Sequence, residues 1–147
     1  MAGQTPESLW PFADECRKDI LDMITVAGSG HPGGSLSVID IVTYLYCREM
    51  KFDPKNAHWE DRDRFVLSKG HGVPAVYAVL AKLGAIPREE LKTLRRIDSR
   101  LQGHPDRVAL PFMEASTGSL GQGLSVAQGM ALGLRLAKKS ARVYCVL

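Results

Sequence analysis

Three of the four histidines in this 147-residue chain follow a glycine directly. His31 stands in Ser29-Gly30-His31-Pro32-Gly33-Gly34, His71 in Ser68-Lys69-Gly70-His71-Gly72, and His104 in Gly103-His104-Pro105-Asp106. An imidazole titrates at about pH 6.5 when unperturbed, so it can give or take a proton near neutrality. Glycine beside it admits unusual dihedrals and lets a ligand come close to the backbone. A single Gly-His pair would read as a capped turn or a surface loop. Three of them at element boundaries are less easily dismissed in that way. His58, in Asn56-Ala57-His58-Trp59, lacks that setting and reads as structural.

A second candidate is Ser116-Thr117-Gly118-Ser119-Leu120-Gly121-Gln122-Gly123, a glycine-rich turn that runs into a helix. The free N–H groups and the dipole at a helix start favour anions or polar ligand edges. Alone, such a turn also reads as a device for close helix packing. It matches neither the P-loop nor the dinucleotide-binding glycine pattern, which requires a preceding strand.

These loops must be held by the elements between them. Phe12, Cys16, Ile20, Met23, Ile24 and Ala27 recur at helical spacing after Thr5-Pro6 and Pro11, which predicts an amphipathic helix ending at Gly28. A second helix is expected from Ser35 to about Met50, carrying Leu36, Ile39, Val42, Leu45 and Tyr46. A polar connection follows, with Pro54 and Asn56 as turn formers. Phe65-Val66-Leu67-Ser68 reads as a buried parallel strand leading straight into the His71 loop. Val73 to Leu83 reads as an apolar helix stopped by Gly84, and Pro87 with Glu89 and Glu90 as another helical first turn. Residues 98–118 look irregular. A helix is expected from about Leu120 to Lys138, although Gly121, Gly123, Gly129 and Gly133 each cost about 1 kcal/mol in an exposed helix interior. That cost suggests close backbone packing or close approach of a ligand. Arg142 to Leu147 reads as a second buried strand. The fold class is therefore α/β, helix-rich, around a parallel sheet that looks unfinished with two strands. Ligands of such sheets gather at the carboxyl ends of the strands, where the His71 loop lies.

Composition narrows the function classes. The chain is 45% hydrophobic and 24% charged, as globular proteins are, and its 19 basic and 16 acidic residues leave a net charge of only +3. Arg95-Arg96 and Lys138-Lys139 read as solvated helix faces, with steering of a phosphorylated substrate as a second reading. No basic stripe with interleaved aromatics suggests nucleic-acid binding. No apolar run approaches the roughly 20 residues a membrane helix needs. Cys16, Cys47 and Cys145 form no CxxC pair, the pattern of reduced thiols, and the expected compartment is the cytoplasm. A zinc hydrolase built on the three histidines is disfavoured, since no ligand pair is closely spaced.

Taken in order, Ser29-Gly30-His31-Pro32-Gly33-Gly34, then Asp63-Arg64-Phe65-Val66-Leu67-Ser68-Lys69-Gly70-His71, then Gly103-His104-Pro105, then Ser116 to Gly123, resemble the landmarks of transketolase. Gly33-Gly34 and Ser119 most resemble the N-terminal subunit of split transketolases. Deoxyxylulose-phosphate synthase and the first component of pyruvate dehydrogenase fit less well. The resemblance implies that residues 1–147 are the N-terminal part of one thiamine-diphosphate-binding domain, incomplete at its C-terminal end. It implies transfer of a two-carbon ketol unit from a ketose phosphate to an aldose phosphate. It assigns His71, Gly118, Ser119 and Leu120 to the cofactor, and His31 and His104 to substrate binding and proton transfer. It also implies Mg²⁺ or another divalent cation, whose ligands are expected beyond Leu147, and assembly as a homodimer or with a C-terminal subunit. The chain alone is then expected to be inactive. The second reading is a non-catalytic scaffold or assembly module of the same fold.

Overall fold

The computed structural model describes residues 6–147, so Thr5 of the expected helix start lies outside them. A 3₁₀ turn at Pro6–Leu9 leads into helix α1, Trp10–Ala27. Pro11 sits in its first turn, where its missing N–H costs nothing. The helix ends because Gly28 takes a left-handed conformation, φ 67°, and donates its N–H to Thr25 O. Its expected apolar stripe faces inward, with Cys16, Ile20 and Met23 buried and Phe12, Ile24 and Ala27 packed on the core's edge.

The expected helix from Ser35 to Met50 begins earlier and is broken. Helix α2 is Pro32–Leu36 and helix α3 is Ile39–Tyr44, followed by a wide π turn at Leu45–Glu49. Proline is preorganised for the first helical position, which moves the start back to Pro32. At the break, the hydroxyls of Ser35 and Ser37 donate to the His31 and Gly34 carbonyls. Met50 N–H reaches back five residues to Leu45 O, closing the π turn.

Strand β1, Arg64–Leu67, pairs in parallel with strand β2, Val143–Val146, with Arg64 opposite Val143 and Leu67 opposite Val146. These are the sheet's two strands among the described residues. β1 is buried except at its first residue, whereas β2 is half-buried throughout rather than buried as its sequence suggests. Its one strand neighbour is β1, and helix α5, Gln122–Leu136, lies against it. Asp63 ties the strand starts together, accepting the backbone N–H of Lys51 at 2.8 Å and of Arg142 at 2.7 Å.

Helix α4, Val73–Lys82, is buried on every side through Ala81, as a helix apolar all round must be. It packs against α1 and α3, and the core runs from Cys16 and Ile20 through Val76 and Leu80 to Leu94, Leu101 and Leu110. The first turn expected at Pro87 is a short 3₁₀ helix, Arg88–Thr93. Residues 98–118 are irregular, as expected, yet firmly held. Tyr77 donates its hydroxyl to Gln102 O at 2.9 Å, and Glu114 pairs with Arg62 at 2.7 Å and Arg64 at 3.6 Å.

Helix α5 is shorter than its sequence pattern, because Gly121 at φ 89° precedes it as the cap. Gly123 does lie in a close contact: a Cβ there would stand 2.6 Å from Ser68 Cα. At Gly129 and Gly133 no such packing occurs within this chain, where an added Cβ would meet nothing within 4 Å. Cys16 is buried, and burial pushes its thiol up to about 12; Cys47 and Cys145 are only half-buried.

Candidate functional site

The three glycine-preceded histidines come together. His31 and His71 ring centroids are 5.2 Å apart, and those of His31 and His104 are 6.4 Å apart, each pair edge to face. His31 occupies the tight connection between α1 and α2, immediately before Pro32. His71 lies in a 3₁₀ turn, Gly70–Gly72, just past the carboxyl end of β1. His104 follows the backbone that Tyr77 anchors at Gln102. Loops separated by dozens of residues are thus brought to one place by α1, β1 and α4.

Glycine makes this convergence possible. A Cβ on Gly34 would stand 2.6 Å from Cδ2 and 2.8 Å from Nε2 of His71, so the imidazole rests on bare backbone. A Cβ on Gly70 would meet Thr117 O at 2.7 Å, which locks the His71 turn against the glycine-rich loop. Thr117 completes that lock by donating its hydroxyl to Leu67 O at 2.6 Å. Gly118 in turn lies under the His104 ring, where a Cβ would be 3.3 Å from Cδ2. Ser119 and Leu120 continue along the exposed turn into α5, and Leu120 is 70% exposed.

His31 and His104 are exposed and His71 is half-buried. Among the described residues, none of their imidazole nitrogens is hydrogen-bonded to another group. Such nitrogens are open to a ligand. His104 holds its proton less tightly than an ordinary imidazole, first because of partial burial, then because of the Arg95 guanidinium and the two neighbouring histidines. His58 stays in the polar connection, where its backbone N–H donates to Asn56 Oδ1. No group of three or more His, Cys, Asp or Glu that could hold a metal ion occurs among the described residues.

Sequence reasoning missed two contributors. Thr117 was visible only as part of the glycine-rich motif, and its β1 contact has no sequence signal. Arg95 is not on a helix face as expected. It follows the Arg88–Thr93 turn with φ 60°, and its side chain reaches Gly103 and Ser29.

The family described as "Transketolase, thiamine diphosphate binding domain" matches residues 11–143. The 6-deoxy-6-sulfo-D-fructose transketolase subunit of Clostridium sp. (strain MSTE9) is 46% identical over 135 residues, covering 92% of this chain and 49% of that protein. Human transketolase is 44% identical over 148 residues, covering 98% of this chain and 23% of its own. The chain therefore spans about half the length of the first relative and under a quarter of the second. Among solved structures, transketolase from Leishmania mexicana superposes with a TM-score of 0.83 at 32% identity, over 97% of this chain and 22% of that one. Transketolase from Campylobacter jejuni gives 0.83 at 36% identity, over 90% and 22%. Sequence and backbone thus agree along nearly the whole chain, and the protein belongs to the transketolase family, whose thiamine diphosphate binding domain it matches over residues 11–143.

Proposed function

We propose that this chain supplies the histidine-lined side of an active site that transfers a two-carbon ketol unit from a ketose phosphate to an aldose phosphate. The observation that carries the proposal is the meeting of three imidazoles from separate loops, their nitrogens unengaged, beside Gly118. Residues 1–147 are read as the N-terminal part of one thiamine-diphosphate-binding domain.

Thiamine diphosphate fits the groups at hand. It needs a donor for a diphosphate oxygen and an open edge for flat rings. The half-buried His71 imidazole offers the first, and the exposed Gly118-Ser119-Leu120 turn the second. The bound cofactor supplies an electron sink for breaking and making a carbon–carbon bond. A ring N–H of His71 would donate to the diphosphate, while Gly118, Ser119 and Leu120 would line the rings. His31 and His104 hold the sugar's hydroxyls and carbonyl. Where negative charge develops on a substrate oxygen, an imidazolium N–H gives it a proton; where a hydroxyl must lose its proton, a neutral ring nitrogen accepts it. Burial and the Arg95 charge lower the His104 pKa, which makes it a weaker base but favours its unprotonated ring, the form that can accept.

Mg²⁺ or a similar hard cation, held by oxygen ligands, would neutralise the diphosphate. Its protein ligands are proposed to lie outside residues 1–147. Assembly as a homodimer, or with a C-terminal subunit, and a cytoplasmic location belong to the same proposal. The relative from Clostridium is named for a sulfonated sugar, which supports an anionic group at the substrate's far end.

Thiamine diphosphate titration with Mg²⁺, on this chain and on the complete enzyme, tests the reading. His71→Ala should weaken cofactor binding first. In the complete enzyme His31→Ala and His104→Ala should lower turnover by about 10² to 10⁴, the usual worth of a positioned proton donor or acceptor, with the fold retained. Wild-type kinetics in all three variants would refute the site assignment. No cofactor binding in either form would mark the chain as a non-catalytic scaffold.

A further inference from the structure

Arg95 has features that the proposed roles do not use. It is an exposed arginine in a left-handed backbone conformation, φ 60°, which a side chain bearing a Cβ adopts only when its surroundings hold it there. Its backbone N–H donates to Leu101 O at 2.9 Å, closing the turn that leads to His104. Its guanidinium lies so close over Gly103 that a Cβ there would meet Nε at 2.7 Å and both Cζ and Nη2 at 2.9 Å. Nη1 makes a long contact of 3.5 Å with Ser29 Oγ, two residues before His31. No carboxylate pairs with it among the described residues. An unpaired positive charge therefore bridges the two backbone segments that carry His31 and His104.

We propose that Arg95 is a positioning residue for the histidine pair: its guanidinium, seated on Gly103 and reaching Ser29, fixes the His104 loop against the His31 loop and sets a positive charge beside the His104 ring. What that charge does for turnover rests on the function proposed above, whereas its placement is a matter of geometry. The groups facing His104 are Arg95, His31 and His71, and all three act against a proton on its ring, Arg95 most among them. A carboxylate beside the guanidinium would cancel that influence, and none is present among the described residues. Glycine at 103 is what lets the planar guanidinium approach.

Arg95→Gln keeps the backbone cost of a non-glycine residue at that position and removes only the charge and the fork. In the complete, cofactor-loaded enzyme, carbon-13 NMR of labelled histidines should show the His104 titration midpoint rising. The acidic limb of the kcat/KM profile should move to higher pH with it, with little change in cofactor affinity. Arg95→Lys restores the charge and should return the midpoint toward the wild-type value. Gly103→Ala, whose methyl displaces a flexible side-chain end, should reproduce the Arg95→Gln shift. An unmoved His104 midpoint in both Arg95→Gln and Gly103→Ala, with the fold intact, overturns the inference whatever the kinetics. If His104→Ala keeps full turnover while the NMR shift is seen, the positioning stands and the catalytic reading of His104 falls instead.

Discussion

His71 and Gly34 are coupled more tightly than any spacing in the chain would suggest. The imidazole lies on the glycine backbone, and the atoms a new methyl would strike, Cδ2 and Nε2, belong to a side chain that can turn away. Gly34→Ala should therefore swing the ring, leave the melting temperature little changed and weaken thiamine diphosphate binding. Calorimetric titration alongside thermal melting checks this; tight binding with an unaltered Kd would show that His71 does not need its present place. The histidines themselves were legible, because Gly-His at three element boundaries is a rare pattern. The meaning of Gly34 was not. Sequence placed it beside His31, whereas the ring resting on it arrives from the turn after β1, and neighbours so distant along the chain leave no local signal.

The elements hold the site through a few buried polar ties. Asp63 is 3% exposed and accepts two backbone N–H groups, from Lys51 and Arg142. Asp63→Ala removes the acceptor of both bonds; since Lys51 and Arg142 are exposed and water can reach their N–H groups, it should cost about 1–3 kcal/mol, at about 0.5–1.5 kcal/mol per bond, read as a lower denaturant midpoint. Gly70→Ala differs from Gly34→Ala because the new methyl meets backbone, Thr117 O at 2.7 Å, which cannot rotate aside. It should destabilise by about 1–3 kcal/mol, as overpacking does. Equal melting temperatures for the two alanine variants would contradict the interlock between the His71 turn and the glycine-rich loop. Periodicity was enough to find α1, α4 and both strands, since each presents a clear apolar pattern. It failed between Pro32 and Met50, where apolar residues recur at helical steps but the backbone breaks. Serine hydroxyls bonding to nearby carbonyls and a five-residue turn decide that region, and a hydrophobic pattern registers neither.

Across the whole molecule, a single buried helix and a short parallel ladder bring three distant loops to the carboxyl end of β1. The loops that meet were readable because glycine, histidine and a glycine-rich helix start are types that act through backbone and imidazole. Burial was read less well. β2 looked like an interior strand from Val143, Tyr144, Cys145 and Val146, yet a strand is only as buried as its neighbours make it, and among the described residues β1 is the one strand beside it. Leu124, Leu132 and Leu136 of α5 are likewise exposed despite their apolar type. The central claim is that His31, His71 and His104 frame one thiamine diphosphate beside Gly118. A crystal structure of the complete enzyme with thiamine diphosphate bound tests it most directly. The account predicts diphosphate density within hydrogen-bonding distance of His71 and ring density along Gly118 to Leu120; a cofactor seated away from all three imidazoles would contradict it.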